Sequence, residues 1–510
     1  MSEPLRRSDD ELLGRLIPAE EMRPSSVADV PRLPSFATAL RRCEALLGSE
    51  YAAIDRGTQN ALTLRRLQQM THTLMLNPVW RERLGDAGVK RAPETFEEWQ
   101  QVPIADRVTA SELFMGERAG LVVPLQECGF ELVASGGTSS GLSVDTVYSL
   151  RELDDTYEIA GDFLGRHVLR PHLAGEGSKW MLTTLADYQL WSSGSMVGGV
   201  LQRVPGVNYI GAGPLRRDLY QQFLSYPGPK AVMGISKWVA SLADLGAGLH
   251  EEARNSLRVA MYGSGMVPQR KRAEIEALYP RVEILSYFAA TQAETIGLQR
   301  TSGGYLCAVP GLHLVEIVDD DGRWVDEGEE GELVVTRLHA HEAPLPRYRI
   351  GDRMIRRADL DLPELRTQQF EFAGRSGDVI HLVDTQYSAP RTYAALCRGL
   401  RAAGVLDLEA AAHEIQFRND RTSLELSLLA LVDDAYGLGA RVGGMLGGEG
   451  LRRLFTEALV ESLSIFNRGE ANAETIARTG YSFRLRLVER ESTEIYRTEV
   501  GKVPLIRDVF

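Results

Sequence analysis

The chain has 510 residues, 44% of them hydrophobic, and a formal net charge of −13 at pH 7. That length exceeds what one hydrophobic core fills, so more than one domain is expected. The acidic balance, with basic residues interleaved among acids, speaks against a nucleic-acid partner. The early residues Arg6, Arg7, Asp9, Asp10 and Glu11 leave no apolar leader, and no uninterrupted apolar run reaches membrane-spanning length. Cys43, Cys128, Cys307 and Cys397 are scattered without a C-x-x-C pair. A cytoplasmic protein with reduced thiols is therefore expected, with neither a disulfide framework nor a zinc site and no membrane partner.

Residues 1–35 are Pro/Ser-rich and charged and read as a loose N-terminal arm. Apolar residues at three- and four-residue spacing, such as Leu62, Leu64, Leu67 and Met70, predict helices over about 36–48 and 58–75. From about 130 to 375 short apolar strands alternate with helices. Ala231 to Ile235 precedes a helix from Ser236, and Val282 to Leu285 follows a helix around Lys271 to Leu278. That alternation predicts an α/β core. Beyond Gly374 to Asp378, His413 to Phe417 and Leu424 to Val432 read as a hairpin turning at Asn419-Asp420. The glycine-rich run Gly437 to Gly450 reads as a loop, Leu451 to Leu463 as a helix and Phe483 to Leu487 as a strand. Together these make a small α+β unit.

Five segments carry chemistry in chain order. Ser135-Gly136-Gly137-Thr138-Ser139-Ser140-Gly141 offers close backbone approach and hydroxyl donors to phosphate oxygens. Gly263-Ser264-Gly265-Met266-Val267-Pro268 precedes the strand that runs into Tyr287-Phe288-Ala289-Ala290-Thr291-Gln292. Gly331 to Thr336 leads through Arg347-Tyr348-Arg349-Ile350-Gly351 to Asp352, whose carboxylate suits two ribose hydroxyls. Gly374-Arg375-Ser376-Gly377-Asp378 supplies a forked guanidinium donor, and Gly501-Lys502 closes the set with a compact ammonium. Taken singly, a Gly/Ser loop is a turn, and an Arg-Tyr-Arg strand is an edge strand with solvated charge.

In this order the five resemble the signature set of the adenylate-forming superfamily, which contains acyl-CoA synthetases, luciferases and nonribosomal adenylation domains. The segments around Leu64 to Gln68, Asn77 to Leu84 and Pro103 to Arg107 are similar to the phenylacetate-CoA ligase-like branch. The resemblance implies a large N-terminal α/β adenylation domain over 36–375, its β-sheets flanked by helices, and a small mobile α+β lid over 378–510 turning near Gly377. It implies ATP and Mg2+ as cofactors and activation of a small acid or oxyanion as an adenylate. The acceptor would be CoA, a carrier thiol or an amine, and a homodimer stays open.

Ser135, Gly136, Gly137, Thr138, Ser139, Gly263, Ser264, Tyr287, Phe288, Asp352 and Arg375 would hold the nucleotide. Lys502, Thr291 and Gln292 would serve the transfer, Lys502 by bridging the substrate carboxylate and the α-phosphate. Tyr188, Trp191, Met196, Trp238 and Gly265 would line the acyl pocket, where flat aromatic walls favour an aryl acid.

Three departures from the family pattern shape the expectation. The phosphate loop continues Leu142-Ser143-Val144 without its usual lysine, and Gln292 stands where the family has a magnesium-binding carboxylate, leaving Glu294 as the metal candidate. His381 to Gln386 replaces the glycine-containing loop beside which pantetheine passes, which favours a nitrogen nucleophile as the alternative acceptor. A non-catalytic nucleotide-binding relative is the reading from another functional class.

Overall fold

The computed structural model describes residues 7–134, 145–187, 192–265, 267–383, 385–462, 472–497 and 503–509. The chain divides into two compact units. One holds Met1–Gly265, Tyr279–Ile350 and Met354–Phe372, the other Met266–Leu278, Gly351–Arg353 and Ala373–Phe510.

In the first unit β1 (Phe130–Ala134) pairs antiparallel with β2 (Asp145–Ser149), with Ala134 opposite Asp145. The strands β3 (Trp180–Thr183), β4 (Asn208–Gly211), β5 (Lys230–Ile235), β6 (Leu257–Gly263) and β7 (Glu283–Ala290) follow, each separated from the next by helix or loop. They lie side by side in the order β7-β6-β5-β3-β4, and all four pairings are parallel. Their near-continuous apolar runs, such as Ala231-Val232-Met233, are what a strand covered on both faces requires.

The sheet continues through β8 (Glu294–Gln299), β9 (Leu306–Ala308), β10 (His313–Val318), β11 (Glu330–Arg337), β12 (Tyr348–Leu362) and β13 (Leu365–Arg375). Its full order is β10-β11-β12-β13-β9-β8-β7-β6-β5-β3-β4. The pairs β7–β8, β8–β9, β9–β13 and β10–β11 are antiparallel.

The N-terminal segment is not the loose arm its composition suggests. Arg7–Leu16 is helical, and Leu13, Leu16 and Ile17 are buried in one cluster with Leu67, Met70 and Trp80. Arg65 donates to the Ile17 carbonyl at 2.8 Å, and Gln69 to that of Glu21 at 2.8 Å. A short apolar run between prolines was enough to anchor it.

The stretch 338–347 between β11 and β12 is a loop that is buried throughout. Buried backbone demands partners, and arginines supply them. Arg66 donates to the carbonyls of Leu338 at 2.6 Å and Ala340 at 2.9 Å. Arg347, 1% exposed and at φ 45°, donates to the carbonyls of Gln100, Val102 and Gly322 and pairs with Glu316 at 3.1 Å. Arg347 is thus an internal brace and not the solvated charge of an edge strand.

In the second unit β14 (Val379–Leu382) pairs with β15 (Thr385–Ser388). A four-stranded sheet joins β16 (Glu414–Asp420), β17 (Glu425–Val432), β18 (Ser482–Glu489) and β19 (Ile506–Val509) in the order β18-β17-β16-β19. The β16–β17 pair is antiparallel and both outer pairings are parallel. β16 runs on to Asp420, past the Phe417 end the pattern predicts, so the turn falls at 421–424 and not at Asn419-Asp420. Asp420 Oδ1 accepts from the Thr422 and Ser423 amides to close it.

The glycine run expected as a loop is helical, within Ala435–Glu461, and breaks only at Gly447 (φ 60°, ψ −175°). Asp434 caps its start by accepting from the Gly437 amide at 2.7 Å. Burial of Val442, Leu454, Phe455, Ala458 and Leu459 offsets the low helix propensity of glycine. Buried Gln416 binds two separate stretches. Its Nε2 donates to the carbonyls of Tyr496 and Pro504, both at 3.1 Å, and its Oε1 accepts from the Tyr496 amide at 2.9 Å.

The four cysteines are free. Among the described residues no helix is long and apolar enough to cross a membrane.

Candidate active site

The carboxyl ends of parallel strands, where side chains and helix starts converge without a further strand to cover them, are where open α/β sheets bind ligands. Here the ends of β3, β5, β6 and β7 bring together Thr184, Ser236, Gly263 to Gly265, and the 288–292 stretch. Several residues singled out by sequence therefore fall on one edge of one sheet.

Gly263 closes β6, and its glycine is required by space. A β-carbon there would stand 2.6 Å from Tyr287 Cζ on the neighbouring strand. The chain then turns through Ser264 at φ 61° and Gly265 at φ 142°, where a β-carbon would meet Ser236 Oγ at 2.8 Å. Such crowding of backbone against side chain keeps a bare peptide edge at the strand end, the kind of surface that a flat ligand approaches closely.

Gly234, near the end of β5, is similarly confined between Thr184 Oγ1 and the Trp238 ring. Trp238 meets Tyr220 edge-on at 5.9 Å, and its buried Nε1 has no hydrogen-bond partner among the described residues. Tyr287 is 8% exposed and its hydroxyl lies 3.5 Å from the Gly234 carbonyl. Burial pushes that hydroxyl well above the ordinary tyrosine range, so it stays protonated. Phe288 packs at 6.0 Å against Phe372.

Thr291 and Gln292 form the turn from β7 into β8, which the Ala293 amide closes by donating to the Ala290 carbonyl at 3.0 Å. The Thr291 carbonyl accepts from Tyr148 Oη at 2.7 Å. Tyr148 lies on β2, immediately downstream of the glycine-rich segment.

Magnesium finds a poor donor set among these residues. It favours carboxylate oxygens together with water in octahedral geometry. Gln292 contributes a neutral amide, and among the described residues no group of three or more His, Cys, Asp and Glu is gathered to hold a metal. Glu294 is 4% exposed, sits at φ 56°, and its Oε2 accepts from Thr295 Oγ1 at 2.7 Å. Burial pushes its carboxyl above the usual range, which disfavours the charged form a hard cation needs. Glu294 as a metal ligand is therefore set aside.

In the second unit Asp352 Oδ1 and Arg375 Nε are 3.4 Å apart, the carboxylate nearly buried and the guanidinium half exposed. The pair presents an acceptor beside a fork of donors. Gly374, at φ 131° with Pro390 Cγ 2.7 Å from its would-be β-carbon, is the glycine this segment needs. Gly377, expected to be the pliant one, has an ordinary φ and open space around it.

Ser135, Gly136, Gly137, Thr138, Ser139, Tyr188, Trp191 and Lys502 lie outside the described residues. Sequence reasoning missed Thr184, Ser236 and Tyr148. A polar residue directly after a buried apolar strand was the available signal for the first two, and Tyr148 carried none.

No family model matches the chain, and no curated protein sequence matches it. Among solved structures the chain is similar to 2-hydroxyisobutyryl-CoA ligase in the postadenylation state with 2-HIB-AMP. The match has 16% identity and a TM-score of 0.65, over 90% of this chain and 91% of that one. The open conformation of that ligase with 2-HIB-AMP and CoA gives a TM-score of 0.59 at 16% identity, over 90% and 93%. Its thioesterification state gives 0.54 at 16% identity, over 90% and 91%. The chain has the α/β fold of these ligases, a large helix-flanked sheet followed by a small C-terminal α+β unit.

Proposed function

We propose that the protein is an AMP-forming ligase that uses ATP to activate a small carboxylic acid as an acyl-adenylate and passes the acyl group to an acceptor. The observation that carries this reading is the gathering of Gly263, Ser264, Tyr287, Phe288, Thr291 and Gln292 at the carboxyl ends of parallel strands, in a chain whose fold matches an acyl-CoA ligase along nine-tenths of its length. That edge would receive the adenine and the acyl group. Ser135 to Ser139 would cradle the phosphates, Asp352 the ribose and Arg375 a phosphate or ribose oxygen. Lys502 would neutralise charge on the carboxylate and α-phosphoryl oxygens as the acid attacks phosphorus and pyrophosphate leaves.

Trp238 and Tyr287 favour an aromatic acid, since flat rings bind flat rings with little loss of freedom. The acceptor is a thiol, CoA foremost. A nitrogen nucleophile is the second reading, favoured by the His381 to Gln386 segment, which contains no glycine and builds the β14–β15 pair. Product analysis with CoA and with amines, each alone, separates the two.

The test is ATP–pyrophosphate exchange over a panel of aliphatic and aryl acids and nitrite. Exchange with at least one acid is expected, and Lys502→Ala should lower it by about 10²- to 10³-fold, the usual worth of one preorganised charge at a transition state. Nucleotide binding with no exchange across the panel would leave a non-catalytic binding protein instead.

A further inference from the structure

We infer that Tyr148, held in place by Arg337, is a positioning residue that fixes the Thr291–Gln292 turn. The inference rests on the ligase reading for the role of that turn.

The side chains form a continuous buried chain. Tyr148 is 1% exposed, and its hydroxyl donates to the Thr291 carbonyl at 2.7 Å, between a strand and a turn 143 residues apart in sequence. A buried phenol must find a partner, and here the partner is a carbonyl of the turn itself. Burial raises the Tyr148 hydroxyl far above the ordinary tyrosine range, so it remains a donor at any working pH.

Below the ring lies the guanidinium of Arg337, 4.2 Å from the ring centroid. Arg337 is itself immobilised. It is 2% exposed, pairs with Glu152 at 3.2 Å, and donates to the carbonyls of Val147 at 3.1 Å and Ala343 at 2.5 Å. One guanidinium therefore grips the backbone of β2 beside Tyr148 and backs its ring at the same time. With strand and ring both fixed, the phenol sets how far the Thr291 carbonyl stands from β2. Thr291 and Gln292 have no other tie of this kind to β2 among the described residues.

Tyr148→Phe removes one hydroxyl and keeps the ring on Arg337. We expect kcat for ATP–pyrophosphate exchange to fall about tenfold, the usual effect of one hydrogen bond that matters in the transition state, with KM for ATP changed less than about twofold. The melting temperature should move by only a few degrees. Hydrogen exchange at the amides of 291–293 should quicken while that of β6 stays unchanged. Arg337→Lys, which keeps the charge but loses the fork and the flat face, should fall between wild type and Tyr148→Phe.

In a Thr291→Ala background, which keeps the carbonyl but removes the side chain whose placement the phenol secures, the Tyr148→Phe penalty should shrink. A purely structural role would lower stability and leave the split between kcat and KM and the double-mutant coupling untouched. Unchanged kcat together with unchanged exchange at 291–293 would overturn the inference. Should wild type be inactive with every acid, the ligase reading fails, and the exchange measurement still decides whether Tyr148 fixes the turn.

Discussion

Two places in the large unit leave regular structure unfinished, and they are finished in opposite ways. In the buried 338–347 loop, Arg66 from a distant helix claims the carbonyls of Leu338 and Ala340, and the loop's own Arg347 donates to those of Val102 and Gly322. At the carboxyl ends of β5, β6 and β7, small residues clear space and the Trp238 indole N–H is left without a partner among the described residues. The loop keeps its backbone from bulk water, which obliges it to find protein partners, whereas Ser264, Gly265 and Ala289 at the strand ends are exposed. The loop is filled by its own protein partners, whereas at the strand ends the proposed ligand would supply them.

The strongest way to break that contrast is Arg347→Met. It strips partners from the carbonyls of Gln100, Val102 and Gly322 and leaves Glu316, 1% exposed, without its cation. Breaking a buried pair from one side costs about 3–5 kcal/mol, which urea unfolding would read. A loss below about 1 kcal/mol would mean that the arginine brace is dispensable.

At the open edge, Gly263→Ala drives a methyl into the Tyr287 ring. Overpacking there should cost about 1–3 kcal/mol, and binding of ATP measured by calorimetry should weaken. Normal binding in a destabilised protein would place the ligand elsewhere.

A pH series sharpens the closed side. Burial lowers the His339 ring to about 3, against an unfolded value near 6.5. With the folded value depressed, the stabilising contribution is whole above the unfolded value and is lost as pH falls from 6.5 towards 3. The slope is at most about 1.4 kcal/mol per pH unit. His339→Gln does not titrate, so the stability of wild type relative to this variant should shrink between about pH 7.5 and pH 5. A constant difference would show that the ring becomes charged without cost.

The smallest effect is expected from Trp238→Phe. Its Nε1 has no partner among the described residues, so stability should change by less than about 0.5 kcal/mol beyond the lost ring area, while affinity for the acid falls. Equal affinity with every acid tested would remove Trp238 from the pocket.

Much of this architecture is legible in the residues. The apolar strands Ala231 to Ile235 and Val282 to Leu285 lie where alternation with helices predicts, and the small unit has its hairpin, helix and strand. The segments around Gly263 and Tyr287 are recognisable because close backbone approach leaves glycine no substitute. What escaped is decided by tertiary neighbours. Helix Arg7–Leu16 is short and prolines follow it, so its buried leucines carry too weak a period to read. The 437–450 run is helical despite its glycines because it is capped by Asp434 and continues into a segment that buries Leu454, Phe455, Ala458 and Leu459, only Val442 being buried within the run itself. Arg347 looks like a surface charge and Glu294 like a metal ligand until the elements that enclose them are assembled.

Gln416 has one more implication. Because a single amide grips Tyr496 on one flank and Pro504 on the other, while β19 is laced to β16, a protease cut between residues 497 and 503 should leave both severed ends attached. Activity lost after such a nick, with the far-ultraviolet spectrum intact, would then report on the cut peptide alone and not on collapse of the small unit.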